Sequence, residues 1–188
     1  MNEEEIQAPI KHQLSKKEII HFIGLAKLDG YYHQVKSLLR GNSAYALGFD
    51  WIGATALHVA IKNEDLKLAE LLIDYNSNVD AKDLLGRTPI FFAVSNSNYE
   101  MVRLLLYNKA NPWSNDGYDL SKMTKDLKIL DLLKRGRRLK IMCNLIGDNK
   151  DSNFKDNYWE TMKEIYLDRD TEYKKIIIES KKWAVKNE

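Results

Sequence analysis

Apolar residues recur along the middle of the chain at intervals of three and four, which is the spacing of one helix face. The stripe is clearest in two segments, with polar residues between its members. Its positions are Leu66, Leu71, Leu72, Val102, Leu104 and Leu105. Each segment therefore predicts a helix with one buried seam.

The two segments belong to a repeating unit of 33 residues. Residues 50–82 and 83–115 align without a gap, and the offset is 33 at every matched pair. The pairs are Asp50 and Asp83, Gly53 and Gly86, Thr55 and Thr88, Leu57 and Ile90, Ala60 and Ala93, Leu71 and Leu104, and Leu72 and Leu105. Chance similarity would not keep one register over a full period, so the chain contains an internal repeat.

The matched positions suit a turn followed by a helix. Gly53 and Gly86 stand where a tight turn needs a residue without a Cβ atom. Thr55 and Thr88 precede an apolar run, where a hydroxyl can cap the first helix. Pro89 follows at a first-turn position, where its missing N–H does no harm.

This unit resembles the ankyrin repeat, whose pattern is D-x-x-G-x-T-P-L-H-x-A followed by a helix ending L-L-x-x-G-A. Residues 25–42 and 116–136 keep some of the landmarks, so about four units are expected over residues 18–138. The resemblance implies an all-α solenoid of helix–turn–helix units with β-like turns. An N-terminal segment, residues 1–17, and a C-terminal helical extension, residues 139–188, flank it. In this family His58 is expected to hydrogen-bond neighbouring turns.

The chain departs from the family pattern at its special backbone positions. Glu64 and Ser97 replace the usual glycine between helices. Asn76 and Lys109 stand after the second helix, at a left-handed position that asparagine tolerates better than lysine. These departures predict a modestly stable array, held by its own tail or by a partner.

Composition and charge favour a globular intracellular protein. Charged residues make up 30% of 188 and the formal net charge is +2, too small to make nucleic acid or membrane the main partner. The single cysteine excludes an intrachain disulfide and suits a reducing compartment. We expect neither a signal peptide nor membrane insertion, and a cytoplasmic location. Association with the cytoskeleton or an organelle, or a nuclear location, are the alternatives.

Signals for catalysis are weak. The sequence has no G-x-S-x-G, glycine-rich phosphate loop or H-E-x-x-H motif, and its four histidines lack metal-ligand spacing. Cys143 lies in an apolar stretch, which predicts an inert, part-buried thiol. We therefore expect no enzyme activity, cofactor, metal or small-molecule substrate.

The resemblance implies that turn tips and first helices line a groove for protein partners. The variable tip positions are apolar, whereas solvated tips usually carry polar residues, so they predict a contact surface. The predicted contacts are Trp51, Ile52, Leu84, Leu85, Phe92, Asn96, Trp113 and Tyr118. The alternative is that these side chains pack on the protein's own terminal segments.

A basic run follows the last unit. It contains Lys134, Arg135, Arg137, Arg138 and Lys140. The run could bind an acidic partner, RNA or anionic lipid. The ordinary interpretation is a solvated helix end, where cations are favoured.

The C-terminal third predicts a short apolar helix at 139–147, a loop at 147–153, and a long helix from Phe154 to about Lys186. The aromatic stripe of the long helix includes Trp159, Met162, Tyr166, Tyr173 and Trp183. It predicts either a bracing helix on the repeats or an arm that contacts a partner.

The repeat pattern, the apolar tips and the aromatic C-terminal stripe together favour a non-catalytic scaffold or adaptor subunit of a larger protein assembly. A transient regulatory inhibitor or recruiting adaptor, and a nucleic-acid binder using the basic run, are the alternatives.

Overall fold

The structure is a computed structural model that describes residues 14–28, 30–113, 119–147 and 152–167. These residues contain eight α-helices and two short 3-10 helices, with one isolated β-bridge between Phe49 and Thr55. The expected all-α fold is confirmed. The chain forms two compact units, Met1–Phe92 and Ala93–Glu188, which are described in turn.

The first unit consists of helix pairs. Its helices are α1 (Lys16–Ala26), α2 (Tyr32–Gly41), a 3-10 helix (Ser43–Leu47), α3 (Ala56–Lys62) and α4 (Leu66–Asp74), and α5 (Pro89–Ser95) begins in it. Ser15 and Glu18 form a capping box at the start of α1. Thr55 caps α3 as expected, by accepting from the main-chain N–H of His58.

Helix α1 packs on α2 and α3, and α3 packs on α4. Phe22, Leu57 and Leu72 are fully buried in this core, and the ring of Phe22 stacks on Tyr45 with centroids 5.0 Å apart. Ala60 is also fully buried, and its small side chain lets two helices approach closely.

Four residues other than glycine have a left-handed backbone. Glu64 and Ser97 follow the first helix of their units with φ of 58° and 53°. Asn76 and Lys109 follow the second helix with φ of 62° and 68°. These are the positions that the repeat pattern singles out. Each costs roughly 1–2 kcal/mol relative to a right-handed residue, less for asparagine. The modest stability of the array stays a prediction.

The second unit contains α6 (Tyr99–Tyr107), a 3-10 helix (Leu120–Lys122), α7 (Leu127–Gly147) and α8 (Ser152–Leu167). Helix α7 packs on α6 and α8. A single 3-10 turn stands where the first helix of the last unit is expected. Gly136 allows the close approach of α7 to α6, because a Cβ atom there would lie 3.1 Å from a methyl group of Leu106.

The interpretation of residues 139–147 as a separate short helix is wrong. Helix α7 runs without a break from Leu127 to Gly147, so the boundary proposed at residue 138 lies inside it. The physical reason is a continuous buried face: Leu132, Gly136 and Leu139 are all buried at helical spacing.

Candidate protein-binding surface

Two aspartates build the tight turns that precede α3 and α5. Asp50 Oδ1 accepts hydrogen bonds from the main-chain N–H groups of Ile52 and Ala54, at 3.0 and 2.9 Å. Asp83 Oδ1 accepts in the same way from Leu85 and Arg87, both at 2.9 Å. Each carboxylate is buried and closes a turn whose central residues point away from it. The identical bonding explains why aspartate recurs at an interval of 33 residues.

The central side chains of these turns are large, apolar and exposed. Their exposed fractions are 73% for Trp51, 39% for Ile52, 75% for Leu84 and 61% for Leu85. We call these four residues the tip surface. The N–H of Leu84 donates to the carbonyl of Ile52 at 3.0 Å, so the two turns are neighbours and form one apolar surface. This arrangement agrees with the exposed tips that the sequence predicts.

Gly53 makes the contact between the two turns geometrically feasible. Its φ is 76°, and a Cβ atom there would lie 3.0 Å from the nitrogen of Leu84 and 3.2 Å from the Cα of Asp83. A side chain would therefore strain its own backbone and press on the neighbouring turn.

The two buried carboxylates differ in how closely a cation approaches them. Asp83 Oδ2 accepts from Arg87 Nε at 2.8 Å and pairs with Nη2 at 2.7 Å. Burial raises the pKa of Asp83, but the hydrogen bonds from Arg87 and Leu85 outweigh it and hold that pKa below its usual value. Asp50 Oδ2 is buried without a hydrogen bond among the described residues, and Lys27 Nζ lies 3.7 Å away.

His58 links two successive repeats, as the resemblance implies. Its Nδ1 accepts from the main-chain N–H of Thr55 at 3.2 Å, which leaves the proton on Nε2. Nε2 then donates to the main-chain oxygen of Arg87 at 3.1 Å. The side chain is fully buried, and burial lowers its pKa.

Phe92 does not belong to the exposed surface, contrary to the prediction. Its exposed fraction is 9%, and two cations lie over the ring. Arg87 Cζ lies 4.9 Å and Lys62 Nζ 5.3 Å from the ring centroid, both within the range of a cation–π contact. Among the other predicted groove residues, Asn96 is exposed and Trp113 is half-buried. Tyr118 lies outside the described residues.

The aromatic stripe of the C-terminal helix packs internally where the structure describes it. Trp159 is 4% exposed and Met162 is 9% exposed. The indole N–H of Trp159 donates to the carbonyl of Tyr107 at 3.2 Å, which ties α8 to the end of α6. These two residues therefore brace the second unit and are not open to a partner. The side chain of Tyr166, together with Tyr173 and Trp183, lies outside the described residues.

Three of the five predicted basic-patch residues are held by this chain's own groups. Arg135 pairs with Asp131 at 2.7 Å, and Arg137 Nε donates to the carbonyl of Pro112 at 3.2 Å. Lys140 Nζ donates to a main-chain carbonyl at 2.9 Å. Lys134 and Arg138 are exposed. These contacts favour the interpretation of the run as part of a helix surface.

Two apolar residues that sequence reasoning missed lie beside the tip surface. Leu47 and Phe49 are 58% and 62% exposed, and with Leu84 they border a cavity of about 430 Å³. The repeat register could have pointed to Phe49, because Phe49 stands directly before the turn aspartate, at the position that the charged Lys82 holds in the next unit. Leu47 belongs to a 3-10 helix that has no counterpart in the repeat pattern.

The described parts of the chain also bear on metal sites, membrane spans and the single cysteine. No group of three or more histidine, cysteine, aspartate or glutamate side chains there is placed to hold a metal ion. None of the helices described is both long and apolar enough to cross a bilayer. Cys143 is half-buried, and burial raises the pKa of its thiol despite the nearby Lys109 and Lys140. A thiol with a raised pKa is a poor nucleophile.

Comparisons with known proteins agree with the repeat found in the sequence. Residues 23–116 match the family model for ankyrin repeats in three copies. Among curated relatives, ADP-ribosylation factor GTPase-activating protein AGD2 of Arabidopsis thaliana is 31% identical over 77 residues, 41% of this chain and 10% of that protein. The mouse B-cell lymphoma 3 protein homolog is 42% identical over 60 residues, 31% of this chain and 13% of that protein.

Human inversin is 31% identical over 121 residues, which cover 64% of this chain and 11% of inversin. The chain thus spans about a tenth of the length of these relatives. Ankyrin repeats are typically non-catalytic modules that mediate protein–protein interactions. The chain belongs to the ankyrin-repeat family.

Proposed function

We propose that this chain is a scaffold or adaptor subunit that holds a protein partner on its tip surface within a larger assembly. One observation supports this proposal most strongly: four large apolar side chains stand 39–75% exposed on two turns that are hydrogen-bonded to each other. Exposed apolar groups that are contiguous mark contact surfaces more often than scattered ones do.

The turns are suited to binding because they are ordered before a partner arrives. Buried aspartate caps and the Leu84–Ile52 hydrogen bond hold the backbone, so little backbone entropy remains to be lost on association. Complete burial of an exposed apolar side chain contributes about 1.5–3 kcal/mol. Trp51 is the strongest candidate for an energetic centre, because tryptophan is enriched among residues that dominate interfaces.

The alternative protein-binding functions differ from a permanent subunit in the lifetime of the complex. A regulatory inhibitor or recruiting adaptor would form transient complexes through the same surface. The nucleic-acid alternative has weaker support, because three of the five basic residues already contact this chain. As part of the proposal we place the chain in the cytoplasm, where its single cysteine would stay reduced.

The proposal is tested by quantitative affinity capture from native extract. The variant combines Trp51→Ala, Leu84→Ala and Leu85→Ala, and its matched control combines Leu127→Ala and Ile141→Ala, which are 79% and 47% exposed in the second unit. We expect wild type and control to retain the same stoichiometric partner and the tip variant to lose it. Circular dichroism confirms folding. Retention by the folded tip variant contradicts the proposal, and dissociation half-life separates a permanent subunit from a transient regulator.

A further inference from the structure

The outward side of α7, in the second unit, carries exposed side chains that the proposed function does not use. Leu127 is 79% exposed, the largest fraction among the large apolar residues that the structure describes, and Ile141 is 47% exposed. Lys134 and Arg138 lie between them and are also exposed. We call these four residues the α7 face.

The α7 face is a row along one side of the helix. Its members are separated by seven, four and three residues, which are the steps that return to the same side. Leu132, Gly136 and Leu139 are buried on the opposite side. Leu127 and Ile141 are about 21 Å apart along the axis, because a helix rises about 1.5 Å per residue.

Positive charge is concentrated around this row. Residues 122–141 include eight basic residues and two aspartates, in a chain whose formal net charge is only +2. The chain itself engages both aspartates. Asp126 accepts from the main-chain N–H of Lys128 at 2.8 Å, and Asp131 pairs with Arg135 at 2.7 Å. The stretch therefore presents a positive potential to solvent.

The charged groups of four side chains in this stretch make no hydrogen bond or ion pair within the described part of the chain. They belong to Lys125, Lys128, Lys134 and Arg138, and all four residues are exposed. The first two flank Leu127 in sequence, so the most exposed leucine is bordered by lysines. Cations and aliphatic side chains are thus available together for an anionic partner.

The order of charged and apolar groups favours a lipid surface over other anionic partners. A protein interface has apolar groups at its centre and a polar rim, and it is depleted in lysine. The α7 face has the reverse order, with two cations in the middle and aliphatic side chains at the ends. Single-stranded nucleic acid stacks its bases on aromatic side chains, and the row contains none.

A bilayer surface matches this order because it needs no complementary shape. Its headgroup layer accepts the charged ends of lysine and arginine, while aliphatic side chains reach the boundary with the acyl chains.

We propose that the α7 face attaches this chain peripherally to an anionic lipid surface. Leu127 and Ile141 enter the boundary between headgroups and acyl chains, and Lys134 and Arg138 pair with anionic headgroups. The attachment uses one side of a helix and no membrane-spanning segment. Anionic lipids line the cytoplasmic leaflet, which agrees with the location proposed above. The tip surface takes no part in this contact.

Cosedimentation of the purified full chain with unilamellar vesicles tests the proposal. Phosphatidylcholine vesicles containing 30% phosphatidylserine are compared with phosphatidylcholine alone. We expect wild type to bind the anionic vesicles only, and to bind them less at higher salt. Lys134→Gln with Arg138→Gln should weaken binding by about fivefold for each cation. Leu127→Ala with Ile141→Ala should weaken it by about tenfold or more.

The matched controls lie in the first unit. Arg40→Gln with Lys67→Gln removes two exposed cations, and Trp51→Ala with Leu84→Ala removes two exposed apolar side chains. Both double variants should bind anionic vesicles as wild type does. Circular dichroism confirms that every variant is folded.

A dye at position 127 reports whether the leucine site enters the bilayer. Leu127→Cys is labelled with nitrobenzoxadiazole in a Cys143→Ser background, which leaves one thiol. We expect its emission to rise on anionic vesicles and to be quenched by lipids brominated in their acyl chains. The same dye on Trp51→Cys should show neither change.

Several outcomes would overturn the proposal. They are no vesicle binding, equal binding to neutral vesicles, equal losses in the control variants, and a dye at position 127 that brominated lipids do not quench. Tighter binding of poly(U) RNA or polyglutamate than of vesicles, lost in the Lys134→Gln and Arg138→Gln variant, would assign the face to nucleic acid or acidic protein instead. None of these results affects the proposed function, because partner capture tests the tip surface.

Discussion

The Nε2 atom of His58 donates to the main-chain oxygen of Arg87 across 3.1 Å, which joins a helix of one repeat to the turn of the next. Arg87 in turn closes that turn on Asp83. Coupling between the two central repeats therefore depends on a neutral, fully buried imidazole.

Stability should depend on pH through His58. Burial lowers its folded pKa below the unfolded value of 6.5, so the unfolded chain takes up a proton at higher pH than the folded chain does. The stabilisation is complete above about pH 6.5 and is lost as pH falls towards the folded pKa. Urea unfolding at pH 7.5 and 5.5 should show wild type losing stability at the lower pH.

The variant His58→Gln separates this contribution from other titrations. At pH 7.5 it should be about 1–3 kcal/mol less stable than wild type, because buried hydrogen bonds are lost. It should then lose less than wild type between the two pH values. His21→Gln, at an exposed histidine, is the control and should keep the wild-type response. An equal pH response in wild type and His58→Gln would show that His58 is not the titrating group.

The two buried aspartates should differ in their dependence on cations. Arg87→Met removes two short contacts to a carboxylate whose side chain is 2% exposed, and we expect a loss of about 1–3 kcal/mol. Lys27 is 51% exposed and lies 3.7 Å from Asp50, so Lys27→Met should cost less than about 1 kcal/mol. Urea unfolding measures both, and equal losses would refute the distinction.

Substitution of two glycines by alanine should change the stability of the protein in opposite directions. Gly53→Ala places a methyl group against the backbone of the neighbouring turn at a φ of 76°, and should destabilise by about 1–2 kcal/mol or more. Gly24 lies inside α1, where nothing is within 4 Å of an added Cβ, so Gly24→Ala should stabilise by about 0.5–1 kcal/mol. Thermal melting gives both signs, and a neutral Gly53→Ala would contradict the close approach of the turns.

Substitution of two tryptophans by alanine should change the free energy of unfolding to different extents. Trp159→Ala removes a buried ring and its hydrogen bond to Tyr107, and should destabilise by about 3–5 kcal/mol. Trp51 is 73% exposed, so Trp51→Ala should change the free energy of unfolding by no more than about 0.5 kcal/mol. If Trp159→Ala left stability unchanged, α8 would not be braced on the second unit as described.

Local and periodic features could be predicted from the sequence. The 33-residue register identified equivalent turns, and the structure gives Asp50 and Asp83 the same bonds. Thr55 was recognised as a helix cap, and Asn76 and Lys109 as left-handed positions. These features depend on a few adjacent residues, so their physics is contained in short stretches of sequence.

Burial between distant residues could not be predicted in the same way. Phe92 fits a groove-facing position, yet Arg87 and Lys62 cover its ring. The apolar stripe through Trp159 suits packing on a partner and packing on the protein's own core equally well, because either would bury one face of the helix. Its hydrogen bond to Tyr107, 52 residues away, decides between them.

The sequence by itself therefore determined the repeat, its family and the apolar character of the turns, since each follows from spacing and residue type. The tertiary structure alone decided which apolar groups remain exposed and that Leu47 and Phe49 border a groove with Leu84. The physical reason is that solvent exposure depends on side chains brought together by folding, whereas helix and turn formation depends mainly on neighbours along the chain.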